Sequence, residues 1–253
     1  MPLTLAVAGM VGVGKSTLAR ALARRLDLQL ALESVDDGPS SAEAVGARAA
    51  DPADAIPAGP AAGPVRPGPD PNPWLPLFYD DGDESTKRRY GLPLQLHFLA
   101  TRFAALRQMR ARGGPWILDR TWYEDAEVFA RGLFEDGYLS PREHDLYTRL
   151  YQELLHAPAA RPPRLLVYLD APLATVVERI RRRGRDKERD TPMAYWERLH
   201  ARYDRWIRAF RASPVLALDV REYDLVADAD AVEALAARVQ ARLEGGMQVT
   251  GDG

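Results

Sequence analysis

The 253-residue chain sets 34 Lys and Arg against 36 Asp and Glu, a net charge of -2, so it has no general attraction for nucleic acid or anionic membrane, and any polyanion site must be local. It has no cysteine, which excludes a disulfide framework and a thiolate zinc site and fits a reducing cytosol. The length suits one α/β domain, no apolar run approaches a membrane span, and the first residues lack a charged-then-apolar signal, so a soluble, cytoplasmic protein is expected.

Residues 3–8 read as a buried strand. After them, Gly9-Met10-Val11-Gly12-Val13-Gly14-Lys15-Ser16 fits the phosphate-loop pattern G-x-x-x-x-G-K-[ST]. Gly9, Gly12 and Gly14 let the backbone curl its N–H groups around a phosphate chain, Lys15 can reach β- and γ-oxygens, and Ser16 can ligate Mg²⁺. A helix over 16–26 follows, with Leu18, Leu22 and Leu26 on one face, so Thr17 lies in its first turn, where its positive end meets phosphate. A second strand is expected at 28–32, with Glu33 at its end.

From 36 to 73 the texture changes: these 38 residues hold nine Pro, five Gly and ten Ala and no aromatic residue. Such a segment buries too little apolar surface to offset its ordering entropy, so a mobile insert is expected at 36–71. Order resumes at Asn72, a polar stretch covers 80–89, and a long helix is expected from Pro93, with Leu96, Leu99, Phe103 and Leu106 on one stripe and Gly113-Gly114 as its stop. Residues 116–119 form a third strand, again ending in a carboxylate, Asp119. A helix then runs from Trp122 to about Glu135, and Ser140-Pro141-Arg142-Glu143 is a capping box opening another. Strand four falls at 165–170, a helix follows Pro172, another follows Thr191-Pro192, strand five lies at 215–219, and a last helix begins near Asp230 and ends at Gly245-Gly246.

Five strands alternating with helices imply an α/β fold, a five-stranded parallel sheet covered on both faces. Ligands in such sheets bind beyond the carboxyl ends of the strands, where the phosphate loop, Glu33, Asp119 and Arg120 all fall. Glu33 and Asp119 are candidates for general base and Mg²⁺ shell, or for simple helix caps. Residues 179–189 hold seven basic side chains against Asp186 and Glu188, interrupted by Gly184. That run reads as an Arg-rich lid over phosphates near 179–190, against a solvated helix face or a nucleic-acid patch. His97, His144, His156 and His200 show no metal-ligand spacing, and Trp196 and Trp206 read as packing residues.

Four stretches make the pattern specific: residues 72–79 (Asn-Pro-Trp-Leu-Pro-Leu-Phe-Tyr), 92–95 (Leu-Pro-Leu-Gln), 118–125 (Leu-Asp-Arg-Thr-Trp-Tyr-Glu-Asp) and 183–188 (Arg-Gly-Arg-Asp-Lys-Glu). In order and spacing they resemble the deoxynucleoside kinase family, most closely its bacterial deoxyadenosine/deoxyguanosine kinase branch. The resemblance covers nearly the whole chain except the insert. It implies a P-loop kinase fold, ATP or another NTP with Mg²⁺, a small-molecule deoxynucleoside as partner with neither nucleic acid nor membrane, and a homodimer or a pairing with a paralogous subunit. By the same resemblance Glu33 takes the proton of the sugar 5′-hydroxyl, Asp119 stands near Mg²⁺, and Arg120 stands near phosphate and base. Tyr79 and Glu188 hold the 3′-hydroxyl, Gln95, Arg102 and Asp125 read the nucleobase, and Arg179, Arg183 and Arg185 are the lid arginines. The implied activity is transfer of a γ-phosphate to deoxyadenosine or deoxyguanosine, with deoxycytidine a further candidate. A nucleoside monophosphate kinase of thymidylate-kinase type and a non-catalytic nucleotide-binding subunit remain as alternative readings.

Overall fold

Short apolar runs set the frame in a computed structural model that describes residues 4–32, 72–79, 83–185, 188, 191–223 and 229–248. Strands β1 (Thr4–Gly9), β2 (Gln29–Ala31), β3 (Trp116–Asp119), β4 (Leu165–Asp170) and β5 (Val215–Asp219) form one parallel sheet in the order β2-β3-β1-β4-β5. The expected α/β architecture is thus observed. Leu5, Val7, Ile117, Leu166 and Val167 are wholly buried, as a sheet covered on both faces demands. Each such side chain contributes roughly 1.5–3 kcal/mol from burial, an upper bound because the unfolded chain is already partly collapsed.

Register places the chemistry. Val7 of β1 pairs with Asp119 of β3, so the start of the phosphate loop and the end of β3 emerge side by side at one edge of the sheet. Helix α1 (Lys15–Arg25) leaves that edge and packs on β1, β2 and β3 through Leu18, Ala19 and Leu22. Among the described residues no helix is long and apolar enough to cross a membrane.

After β2 come α2 (Trp74–Tyr79) and α3 (Glu84–Arg112). The long helix begins at Glu84 rather than at the expected Pro93. Asp83 caps it, its carboxylate accepting the Ser85 N–H at 3.1 Å, and the polar residues 84–89 form an exposed first turn and a half. Pro93 lies inside this helix and supplies no N–H to its ladder.

The segment after β3 is helical to Glu135, as expected, but its middle is wound differently. An α-turn α4 (Trp122–Glu124) passes into a π-helical stretch (Asp125–Ala130) and back into α5 (Arg131–Glu135). Helix α6 (Pro141–Leu155) starts on the expected capping box: Glu143 N–H to Ser140 Oγ at 3.3 Å, and Ser140 N–H to Glu143 Oε2 at 2.7 Å. Helices α7 (Leu173–Arg183) and α8 (Met193–Ala209) follow Pro172 and Pro192, and α9 (Ala229–Gln248) continues through the two glycines expected to stop it. Trp196 and Trp206 are core residues of α8, while Glu33 and the insert at 36–71 lie outside the described residues.

Candidate active site

The phosphate loop turns on glycines in conformations that side chains resist. Gly9, Gly12 and Gly14 have φ of 143°, 81° and 110°. A Cβ on Gly12 would also stand 2.6 Å from Ile180 Cγ1 of α7, so loop and helix meet there with no room for a methyl group. Gly12→Ala is expected to cost about 1–3 kcal/mol of stability through strain and overpacking and to raise the KM for triphosphate. Thermal melts and steady-state kinetics would show it, and unchanged values in both would refute this reading of the contact.

Lys15 begins α1 and is buried; its ammonium donates to the Gly9 and Met10 carbonyls at 2.8 and 3.2 Å, which anchors it at the loop's mouth. Ser16 follows, and its hydroxyl donates to Asp119 Oδ2 at 2.5 Å. A hydroxyl and a carboxylate in contact beside a phosphate loop are hard oxygen donors of the kind Mg²⁺ takes when phosphates and water complete its shell. Among the described residues no cluster of three or more acidic or histidine side chains competes for a metal. Thr17 is the exposed next residue of α1.

Arg120 directly follows β3, tied by its N–H to the Val7 carbonyl at 2.9 Å. Its φ is 72°, a left-handed conformation that costs a non-glycine residue roughly 1–2 kcal/mol. That turn carries its guanidinium over the Phe129 ring at 4.0 Å and brings Nε to 3.9 Å from Asp125 Oδ1. Asp125 in turn accepts from Arg102 Nε at 3.0 Å and Nη2 at 3.5 Å, and both partners are buried. Gln95 lies seven residues before Arg102, two turns of α3 and so on the same face. It is buried too, and its Oε1 has no hydrogen-bond partner among the described residues. The chain has therefore buried a cation, an anion and an amide in one place, an arrangement that a polar planar ligand would complete.

On the other flank, Arg179 of α7 donates to the Val13 carbonyl at 2.8 Å, tying α7 to the phosphate loop. Arg183 pairs with both oxygens of Glu188, and Arg185 Nη1 lies 4.0 Å from the same carboxylate. Tyr79, at the end of α2, hydrogen-bonds Tyr195 of α8 and lies within the electrostatic reach of Arg120 and Glu188. The structure thus brings the expected lid, sugar and base residues to one edge, Glu33 excepted because it lies outside the described residues.

Two residues here are not marked for the site by any pattern in the sequence. Tyr195 carried no motif. Glu124 closes a capping box with Thr121 and is wholly buried among the loops of the site.

Residues 5–244 match the family model described as deoxynucleoside kinase. A deoxyadenosine/deoxycytidine kinase of Bacillus subtilis is 34% identical over 229 residues, 90% of this chain and 88% of that protein. A deoxyguanosine kinase of Lactobacillus johnsonii is 28% identical over 247 residues, 95% and 92% of the two chains. The solved structure of deoxyadenosine kinase from M. mycoides with bound dATP superimposes with a TM-score of 0.67 at 20% identity, covering 94% of this chain and 100% of that one, a likeness of fold.

Proposed function

The chain belongs to the deoxynucleoside kinase family and is an enzyme that phosphorylates deoxynucleosides, and on that premise we propose that it moves the γ-phosphate of ATP, or of another NTP, to the 5′-hydroxyl of deoxyadenosine, deoxyguanosine or deoxycytidine. The buried Arg102–Asp125 pair beside Gln95 carries the choice of base. A carboxylate accepts from an exocyclic amine while a guanidinium donates to ring nitrogens or carbonyl oxygens. Adenine, guanine and cytosine each have such an amine and thymine has none, so thymidine is the disfavoured acceptor. The names of the relatives, deoxyadenosine/deoxycytidine and deoxyguanosine kinases, support the same set.

In this reading Glu33 takes the proton as the 5′-oxygen attacks the γ-phosphorus and the bond to the β-phosphate oxygen breaks, releasing the diphosphate. Lys15 and Arg120, with Arg179, Arg183 and Arg185 of the lid, surround the charge that develops on the transferring oxygens. Tyr79 and Glu188 hold the 3′-hydroxyl. Ser16 and Asp119 would hold Mg²⁺, which would neutralise charge on the donor's phosphates. We further read the chain as one domain of a cytoplasmic homodimer. Leu146 and Leu150, 56% and 42% exposed on consecutive turns of α6, are apolar surface that a second copy would cover; a monomer mass by light scattering would exclude this.

The test is phosphate transfer from ATP and Mg²⁺ to deoxyadenosine, deoxyguanosine, deoxycytidine, thymidine and thymidine monophosphate, measured in parallel. Turnover of the three amine-bearing nucleosides at least tenfold above thymidine is expected. Equal use of thymidine would overturn the base reading, and turnover of the monophosphate alone would replace the acceptor.

A further inference from the structure

Glu124 has no part in the roles above, yet no other carboxylate among the described residues is so enclosed: it is 0% exposed and accepts four hydrogen bonds. The Gly9 N–H donates to Oε1 at 3.3 Å, from the residue where β1 becomes the phosphate loop. The Thr121 N–H and hydroxyl donate to Oε2 at 2.8 and 3.2 Å, from the residue that follows Asp119 and Arg120. The Tyr203 hydroxyl donates to Oε1 at 3.1 Å, from the helix that follows the lid. Burial pushes the Glu124 carboxyl up from its ordinary range, against the opposing charges of Arg120 and Lys15 and the two backbone N–H groups. A well-packed apolar residue would be the easier occupant of such a position, so a purely structural filler is a poor account of it.

What meets at Glu124 is the informative point. Its two backbone donors lie on the loop that cradles the phosphate donor and on the turn that carries the acid–Arg pair, and its third partner belongs to α8, which also presents Tyr195 to Tyr79. Accepting the kinase reading above, on which this rests, we propose that Glu124 is a positioning residue that sets the donor loop, the Asp119–Arg120 turn and the helix behind the lid in one register, and that Tyr203 is its link to the lid side. It touches neither substrate. Its effect is on the separation and alignment of the reacting groups, where a displacement near 1 Å costs about a hundredfold in rate.

The experiment compares wild type, Glu124→Gln, Tyr203→Phe and the double variant for melting temperature and for kcat and both KM values, with rates expressed per folded molecule. Glu124→Gln keeps the shape but turns an amide N–H₂ towards one of the backbone donors, so kcat is expected to fall 10- to 100-fold while the KM for deoxynucleoside stays within threefold. Tyr203→Phe deletes one hydroxyl and is expected to lower kcat about three- to tenfold, with no further loss when added to Glu124→Gln. Wild-type kcat in Glu124→Gln would overturn the proposal, as would equal Tyr203→Phe losses in both backgrounds or a lowered melting temperature with unchanged kcat. If Glu124→Gln does not fold, Tyr203→Phe alone decides: an unchanged kcat defeats the proposal. Absence of deoxynucleoside turnover in wild type would instead defeat the kinase reading itself.

Discussion

Lys15→Ala is expected to lower kcat for deoxynucleoside phosphorylation by about 10²–10³-fold, the scale on which single preorganised electrostatic groups act on developing charge. The ammonium is aimed by the Gly9 and Met10 carbonyls and shielded from bulk water, so its field at the γ-phosphate is weakly screened. Alanine removes that charge without disturbing α1, whose first turn tolerates it well. The melting temperature should therefore move little while the stabilisation conferred by ATP shrinks. Stopped-time assays with saturating substrates and melts with and without nucleotide separate these effects. A kcat near wild type would remove the phosphate loop from the reaction.

Removing Asp125 should be felt first in the fold. Asp125→Ala takes a buried carboxylate from between Arg102 and Arg120, and such one-sided deletions cost about 3–5 kcal/mol. In a chain of this size that corresponds to a fall of roughly 6–20 °C in melting temperature. Arg102→Met together with Asp125→Ala removes both charges of the closer pair and should recover much of the loss, while preference among nucleosides shifts towards thymidine. Unfolding by urea gives the stabilities and the acceptor panel gives the preference. If the single variant is no less stable than the double, the pair is not the compensated unit described here.

Local patterns were the legible part of this chain. The phosphate loop, the five strands and the Ser140 cap are each specified by residues within ten positions of one another, and each was found where its pattern predicts. The start of α3 was not, because Pro93 after a charged stretch looks like a first helical residue, whereas the Asp83 cap and an exposed polar turn extend the helix backwards. The π-helical stretch was equally hidden. Its one extra residue per turn leaves no mark in an apolar pattern, yet it sets Asp125 and Phe129 so that both meet Arg120. Glu124 shows the other limit: that its carboxylate reaches Gly9 and Tyr203, 115 and 79 residues away, is a property of the folded chain alone.

The strand order also bears on how the enzyme is born. Strand β1 leaves the ribosome ahead of the other four, but its neighbours in the sheet are β3 and β4, and Leu5 must wait for Ile117 on one side and Leu165 on the other. At translation rates of about 5–20 residues per second that wait exceeds several seconds for either partner. The phosphate loop is thus made well before the strands that flank it, and a nascent chain interrupted before β4 holds the loop's sequence signature without the sheet that shapes it.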